Sequence, residues 1–302
     1  VLGIGISNTP LIKYLNGIGV SITAFDKADR EKLGNTADEL EDMGVGLSLG
    51  ENYLKDLRGF DIIFRTPGMR YDIPELVKAK EEGAQITSEM EVFFELCPAP
   101  IIAVTGSDGK TTTTTLIYKM LTEHGYTCWL GGNIGTPLLD KIDEIRENDR
   151  VVLELSSFQL HTMKKSPDVA VITNMSPNHL DIHKSMDEYI EAKKNIFIHQ
   201  NSKGKLILNL DNDITRGFEQ EARGRVVFFS RMNELSEGAF LKGDWLVYKE
   251  DGREVKLVKA KDILIPGSHN IENYLAAAAA VYGLITPEDV ERVATSFKGV
   301  EH

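Results

Sequence analysis

Short apolar runs rich in β-branched residues recur along the chain, separated by stretches whose apolar positions fall three or four residues apart. The first run is Val1-Leu2-Gly3-Ile4-Gly5. Residues 9–17 carry helical spacing, and Val20-Ser21-Ile22-Thr23-Ala24-Phe25-Asp26 returns to an extended pattern, so the order is strand, helix, strand. The alternation repeats over residues 60–64, 73–82 and 85–87, which predicts a Rossmann-like parallel α/β domain across residues 1–97. Pro98 and Pro100 interrupt regular structure and mark a linker.

A second series starts at Ile101-Ile102-Ala103-Val104-Thr105, an apolar run that fits a strand buried on both faces. Further strands are predicted over 151–155, 169–173, 206–209 and 226–229, with helices over 112–124 and 186–198. Between residues 240 and 258, turns at Gly243-Asp244 and Asp251-Gly252 give a small antiparallel patch. Residues 270–282 are Ala-rich and nearly free of charge, which predicts a helix packed closely in the core. The expected fold class is α/β: the N-terminal domain, then an α/β domain over residues 98–302 that carries the patch and is of P-loop ATPase type, since Gly106-Ser107-Asp108-Gly109-Lys110-Thr111 follows its first strand.

Composition changes this picture little. At 302 residues the chain exceeds the usual span of one core, in keeping with two domains. No apolar run approaches the roughly 20 residues that cross a bilayer, and the start lacks a charged segment followed by a long apolar one, so no membrane insertion and no secretory leader are expected. Cys97 and Cys128 lack metal-ligand spacing and fit small core thiols in a reducing cytoplasmic compartment. The net charge of −12 argues against a nucleic-acid partner, because coating phosphates needs clustered cations. Small anions stay open to it, held by a few local cations and backbone amides.

The sharpest chemical signal is Thr105-Gly106-Ser107-Asp108-Gly109-Lys110-Thr111, between a buried strand and a helix. A Gly-rich turn opening a helix aims backbone N–H groups and the positive helix end at one point, which suits a polyphosphate. Lys110 would add a mobile charge for the β- and γ-phosphates, and the Thr111 hydroxyl a ligand for Mg²⁺. The general spacing G-x-x-x-x-G-K-[ST] is not fully met: Val104 holds the first glycine position, and Gly106 follows two residues later. Glu154 lies inside an apolar strand, where an unpaired carboxylate is expensive, so it calls for a metal or a cationic partner. His179 follows the strand over 169–173, at the end where doubly wound sheets bind ligands, although a surface loop histidine is the blander reading. Lys193 sits four residues after Tyr189 on one helix face, and by itself reads as a solvated lysine. Gly3-Ile4-Gly5 with Asp26 imitates a dinucleotide fingerprint, but Asn8 replaces its third glycine. That segment alone would suggest a nicotinamide-dependent oxidoreductase, which leaves the Lys110 loop unexplained.

The run from Thr105 to Thr113 resembles the Thr-Gly-[Thr/Ser]-x-Gly-Lys-Thr-Thr loop of the Mur ligases, where the departure at Val104 is expected. Other segments match in order: Gly131-Gly132-Asn133-Ile134-Gly135, Glu154-Leu155-Ser156-Ser157-Phe158-Gln159-Leu160, Asn178-His179-Leu180-Asp181, residues 189–193, and Gly267-Ser268-His269-Asn270. The resemblance covers the whole chain, and Glu154 to Leu160 resembles the D-glutamate-adding branch.

The resemblance implies an ATP-dependent amide ligase of peptidoglycan precursor synthesis, with UDP-N-acetylmuramoyl-L-alanine and D-glutamate as substrates. It assigns ATP to Gly106, Ser107, Asp108, Gly109, Lys110, Thr111, Thr112 and Asn270. Mg²⁺ would be held by Thr111, Glu154, His179 and Lys193, the lysine being carbamylated, and Lys110, Glu154, His179 and Lys193 would carry catalysis. The UDP-substrate would be held by Ser7, Asn8, Thr9 and Asp26 with the loop Thr66-Pro67-Gly68, and its channel lined by Asn133, Ser156 and Gln159. A monomer in the cytoplasm is expected. Family members continue into a third α/β domain that contacts the incoming amino acid. A chain ending at His302 would lack it, and the alternative implied is a truncated, non-catalytic nucleotide-binding module.

Overall fold

The computed structural model describes residues 1–176 and 184–300. They form two compact units: Val1–Cys97 together with Pro137–Glu144, and the rest of the described chain. Among the described residues no helix is long and apolar enough to cross a membrane.

The first unit contains α1 (Asn8–Gly17), β1 (Thr23–Asp26), α2 (Arg30–Leu33), α3 (Asn35–Asp42), β2 (Gly46–Leu49), β3 (Ile62–Phe64), α4 (Pro74–Glu81), β4 (Gln85–Thr87) and α5 (Glu89–Leu96). The pairs β1–β2 and β3–β4 are parallel. The opening run of the chain links them. Leu2 N–H donates to Phe64 O at 2.8 Å, Gly3 N–H to Phe25 O at 2.7 Å, and Phe25 N–H to Val1 O at 2.8 Å. The first predicted strand is thus a single bridge, Leu2 to Phe25, that stops where Gly3 turns to a φ of +90°. Leu2, Phe25, Leu57, Ile63, Leu76, Ala79 and Ala84 form the core beneath it.

The second unit contains β5 (Ile101–Thr105), α6 (Lys110–His124), β6 (Cys128–Gly132), β7 (Arg150–Glu154), α7 (Ser157–Leu160), β8 (Val169–Ile172), α8 (Met186–Lys194), β9 (Lys205–Asn209), α9 (Asp213–Gly217), β10 (Arg225–Ser230), β11 (Gly238–Lys242), β12 (Trp245–Glu250), β13 (Arg253–Lys259), α10 (Ser268–Val281) and α11 (Pro287–Ala294). Its strands form one sheet in the order β13-β12-β11-β10-β9-β8-β5-β7-β6. Neighbours from β6 to β11 are parallel, and β12 and β13 continue the sheet antiparallel. The antiparallel patch is therefore an extension of the main sheet. Alternate strand residues such as Ile102, Val104, Val152, Val171 and Ile207 share a buried cluster with α6, α10 and α11, as period-two side-chain placement requires. The alanines Ala276 to Ala280 are at most 2% exposed and let α10 lie close to both the sheet and α6.

The chain order places β7 on one side of β5 and β8 on the other. The carboxyl end of β5 is therefore the point where the winding reverses, and the segments after β5, β7 and β8 open together there.

Candidate active site

Three strand ends build the site in the second unit. Thr105 closes β5, Glu154 closes β7, and Thr173-Asn174 follow β8. Val104 pairs with Glu154 in the ladder and is fully buried, so the glycine turn cannot begin there. It begins at Gly106, with φ +150°, and ends at Gly109, with φ +76°. Both glycines are required by packing as well. A Cβ on Gly106 would stand 1.9 Å from Thr173 Oγ1, and one on Gly109 would stand 2.3 Å from Asn273 Oδ1.

The loop is held from below by its neighbours. Ser107 N–H donates to Asn174 O at 3.0 Å, and Asp108 N–H to Asn174 Oδ1 at 2.9 Å. Thr173 Oγ1 donates to Asp108 O at 2.6 Å. Ser107 Oγ donates to Ser176 O at 3.0 Å and lies 3.1 Å from the Tyr189 hydroxyl. In α6 the first amide satisfied by the preceding turn is that of Thr113, which donates to Gly109 O at 2.9 Å. The amides of Gly109, Lys110, Thr111 and Thr112 are the orphan donors of the helix start. The Ser107 and Asp108 amides are already engaged with Asn174, so the donors free for an anion begin further along, at the helix start. Thr112 is half-buried in that first turn. Lys110 Nζ folds back to donate to Ser107 O at 2.9 Å.

Glu154 is 1% exposed and has two side-chain partners among the described residues. Thr111 Oγ1 donates to its Oε2 at 2.7 Å, and Asn133 Nδ2 to its Oε1 at 2.8 Å. Asn133 is fixed in turn by its own N–H, which donates to Glu154 O at 2.8 Å. Lys193 is 2% exposed. Its Nζ donates to Thr105 Oγ1 at 3.1 Å and Gly106 O at 2.9 Å, and lies 4.8 Å from the Tyr189 ring centre. Burial, helped by the Lys110 charge and opposed by Glu154, pulls its amine down to about 7. The adjacent Lys194 pairs instead with Glu191 at 2.8 Å and Glu221 at 2.5 Å.

Ser156 and Gln159 hold each other across the first turn of α7. Ser156 N–H donates to Gln159 Oε1 at 3.0 Å, and Gln159 N–H to Ser156 Oγ at 3.3 Å, which makes them a capping box. Asn270, at the start of α10, donates to Pro266 O at 2.6 Å and accepts from Asn273 Nδ2 at 3.0 Å. Asn273, which also accepts from Thr113 Oγ1 at 3.2 Å, was not foreseen. Its signal was present in the sequence, three residues after Asn270 and so on the same helix face. Thr173 and Asn174 carried no comparable signal as loop supports. His179, with Asn178, Leu180 and Asp181, lies outside the described residues.

The first unit has a cleft of about 710 Å³ whose lining includes Gly3, Ile4, Gly5, Asp26, Thr66 and Gly68. The Asp26 carboxylate accepts from Ile4 N–H at 2.6 Å and Ala28 N–H at 2.7 Å. Asn8 is 2% exposed, and its Nδ2 donates to Leu2 O at 2.9 Å and Gly3 O at 3.1 Å, so it shapes the turn from within. Thr9 Oγ1 donates to Gly5 O at 3.0 Å. Ser7 precedes α1 without capping it. Pro67 lies between the cleft residues Thr66 and Gly68.

A family model described as the Mur ligase middle domain matches residues 104–281. The chain belongs to the Mur ligase family. Its full length is 65% identical to the UDP-N-acetylmuramoylalanine–D-glutamate ligase of Acetivibrio thermocellus and 60% identical to that of Ruminiclostridium cellulolyticum, and it spans 65% of the length of each. Among solved Mur ligase structures, it is similar to the UDP-N-acetylmuramate:L-alanyl-gamma-D-glutamyl-meso-diaminopimelate ligase from Neisseria meningitides. That match has a TM-score of 0.62 at 18% identity and covers 100% of this chain and 98% of that one. A murein peptide ligase from Psychrobacter arcticus gives 0.60 at 19% identity, over 99% of this chain and 68% of that one. These two likenesses establish a shared Mur ligase fold.

Proposed function

We propose that this chain carries the ATP and nucleotide-sugar sites of a cytoplasmic amide ligase that joins D-glutamate to UDP-N-acetylmuramoyl-L-alanine in peptidoglycan precursor synthesis. The observation that carries this reading is the convergence of Thr111, Glu154 and Lys193 on one phosphate loop, in a chain 65% identical to a ligase of that name. In the reaction, the alanyl carboxylate attacks the γ-phosphorus of ATP, the bond to the β-phosphate oxygen breaks, and ADP leaves. The D-glutamate amine then attacks the acyl phosphate carbonyl, phosphate departs, and the amine gives up a proton to form the amide.

The residues of the loop contribute position and charge. The amides of Lys110, Thr111 and Thr112 and the Lys110 ammonium stabilise the transferring phosphoryl group. The Thr111 hydroxyl and the Glu154 carboxylate are the hard oxygen donors that Mg²⁺ takes. A bound Mg²⁺ neutralises charge on the phosphoryl oxygens. If the uncharged Lys193 amine, which burial favours, adds to CO₂ and releases a proton, the resulting carbamate would be a further anionic ligand. His179 is assigned to a second Mg²⁺ on the family resemblance.

The test is to titrate the chain with Mg-ATP and with UDP-N-acetylmuramoyl-L-alanine by calorimetry, and then to trap acyl phosphate with borohydride after mixing both. Both ligands are expected to bind and to give trapped product. Lys110→Ala should abolish that product and leave UDP-substrate affinity unchanged. A folded chain that binds neither ligand, or product that forms equally without ATP, sinks the reading.

A further inference from the structure

The turn over residues 66–69 forms one wall of the first unit's cleft and is governed by a side chain outside it. Met69 N–H donates to Thr66 O at 3.1 Å, which makes these four residues a β-turn with Pro67 and Gly68 at its centre. Pro-Gly at those two positions favours the turn type in which glycine takes a positive φ. Gly68 is absent from the glycines with positive φ, so the central peptide is turned the other way. The residue opposing the local preference is Arg65. It is 2% exposed, and its backbone N–H is fixed to Thr87 O at 2.8 Å. One terminal nitrogen of its guanidinium donates to Thr66 O at 3.1 Å, to Pro67 O at 3.0 Å, and to Met69 O.

The bond to Pro67 O decides the orientation. In a planar trans peptide the C=O of Pro67 and the N–H of Gly68 point in opposite directions. With the carbonyl drawn to the guanidinium, the Gly68 amide faces away from it. A flipped peptide would exchange the positions of carbonyl oxygen and amide, and an oxygen on the edge of the turn that borders the cleft would repel an anion. Thr66 and Gly68 line the cleft directly, and the Thr66 side chain packs on Gly3, 3.2 Å from where a Cβ would stand there.

We infer that Arg65 is a positioning residue for nucleoside diphosphate binding: it holds the Pro67–Gly68 peptide in the orientation that presents the Gly68 N–H to the diphosphate. This rests on the reading of the cleft as the site for the UDP end of the substrate, and it adds the determinant that makes the cleft wall complementary to anions.

The experiment compares UDP with uridine, which lacks the phosphates, by calorimetry on the chain and three variants. Arg65→Met keeps bulk and removes the donors. It is expected to weaken UDP about tenfold, the scale of a lost charge-assisted contact, while uridine changes by less than about twofold. Gly68→Ala has room, since a Cβ there meets nothing within 4 Å, and an L-residue disfavours the positive φ of the flipped turn. The double variant R65M/G68A is therefore expected to recover most of the lost UDP affinity, measured against G68A alone. Thermal unfolding of each variant separates loss of the turn from loss of the fold. UDP affinity unchanged in folded R65M, equal losses for UDP and uridine, or no recovery in the double variant would each overturn the inference. No UDP binding by the unsubstituted chain would instead overturn the reading of the cleft, and this inference with it.

Discussion

Glu89 shows how a single buried carboxylate sets a pH dependence away from the chemistry. It opens α5 and is 8% exposed. Burial, reinforced by the Asp140 charge, pushes its carboxyl from 4.5 up to about 7. The positive end of α5 favours the ionised form and offsets part of this. Between 4.5 and about 7, the folded chain holds a proton that the unfolded chain releases, so the first unit loses stability as pH rises through that window. Glu89→Gln removes the titration. Its unfolding free energy should stay flat across the window and exceed that of the unsubstituted chain at pH 8 by at most about 3 kcal/mol. Denaturant titrations at pH 5 and pH 8 measure this, and an equal decline in both proteins contradicts it. The residues proposed for the phosphate chemistry were legible because their types are unusual for their places: Lys110 and Thr111 after a glycine turn, and Glu154 in an apolar strand. Their supports were not. Asn174 and Thr173 hold the Ser107-Asp108 turn across 65 or more residues of sequence, and Asn273 reaches Thr113 across 160, separations that no local pattern records.

At the scale of elements, α6 is anchored at both ends. Its start follows the glycine turn of residues 106–109, and its end is tied to α11. Asp289, 2% exposed, accepts from Thr286 N–H at 2.8 Å and Thr286 Oγ1 at 2.9 Å, pairs with His124 Nδ1 at 2.7 Å, and takes a further bond from Arg292. Glu123 adds a 2.6 Å pair to Arg292. Burial pushes the Asp289 carboxyl up, but its bonds from Thr286 and His124 outweigh this and leave it below its ordinary value. A carboxylate so depressed contributes stability above its unfolded pKa of about 3.9, which is lost as pH falls through the folded value. Asp289→Asn is expected to cost about 1–3 kcal/mol at pH 7, to raise amide exchange in the last turn of α6 and in α11, and to lose this deficit below pH ~4. A deficit of the same size at pH 7 and pH 2 would refute the account. Strands β5, β7, β8 and β9 were legible because burial on both faces makes their sequences continuous apolar runs, and β10 because its apolar run continues across a face that is only half-buried. The edge strands β2 and β6 were not, since Gly46 and the pair Gly131-Gly132 dilute their signal and their residues are mostly half-buried. Helix α11 buries only Asp289, Val290, Val293 and Ala294. Its Thr286-Pro287 start with Asp289 at the third helical position was a readable sign that hydrophobic spacing alone passes over.

At the scale of the whole molecule, the two units are not consecutive stretches of sequence. The chain leaves β6 in the second unit, contributes Pro137–Glu144 to the first, and returns to β7 in the second. A division at the Cys97-Pro98 linker therefore omits part of the first unit's packing. Leu139, within a short 3₁₀ turn over Leu139–Lys141, is fully buried, and that turn packs on α1, with Leu138 and Ile142 buried beside it. Removing a buried leucine side chain costs about 2–5 kcal/mol, with the spread set by how far the site collapses. Leu139→Ala should accordingly lower the stability of the unit that holds the cleft proposed for UDP, although residue 139 is flanked on both sides by sequence of the other unit. Unfolding followed with ligands resolves the two: on the proposed ligand assignment, UDP raises the midpoint of the first unit and Mg-ATP that of the second, each by mass action. In Leu139→Ala the transition that responds to UDP should move to lower denaturant, and the transition that responds to Mg-ATP should stay within experimental error. A shift of the ATP-responsive transition alone would mean that residues 137–144 stabilise the second unit, and that the first is complete at Cys97.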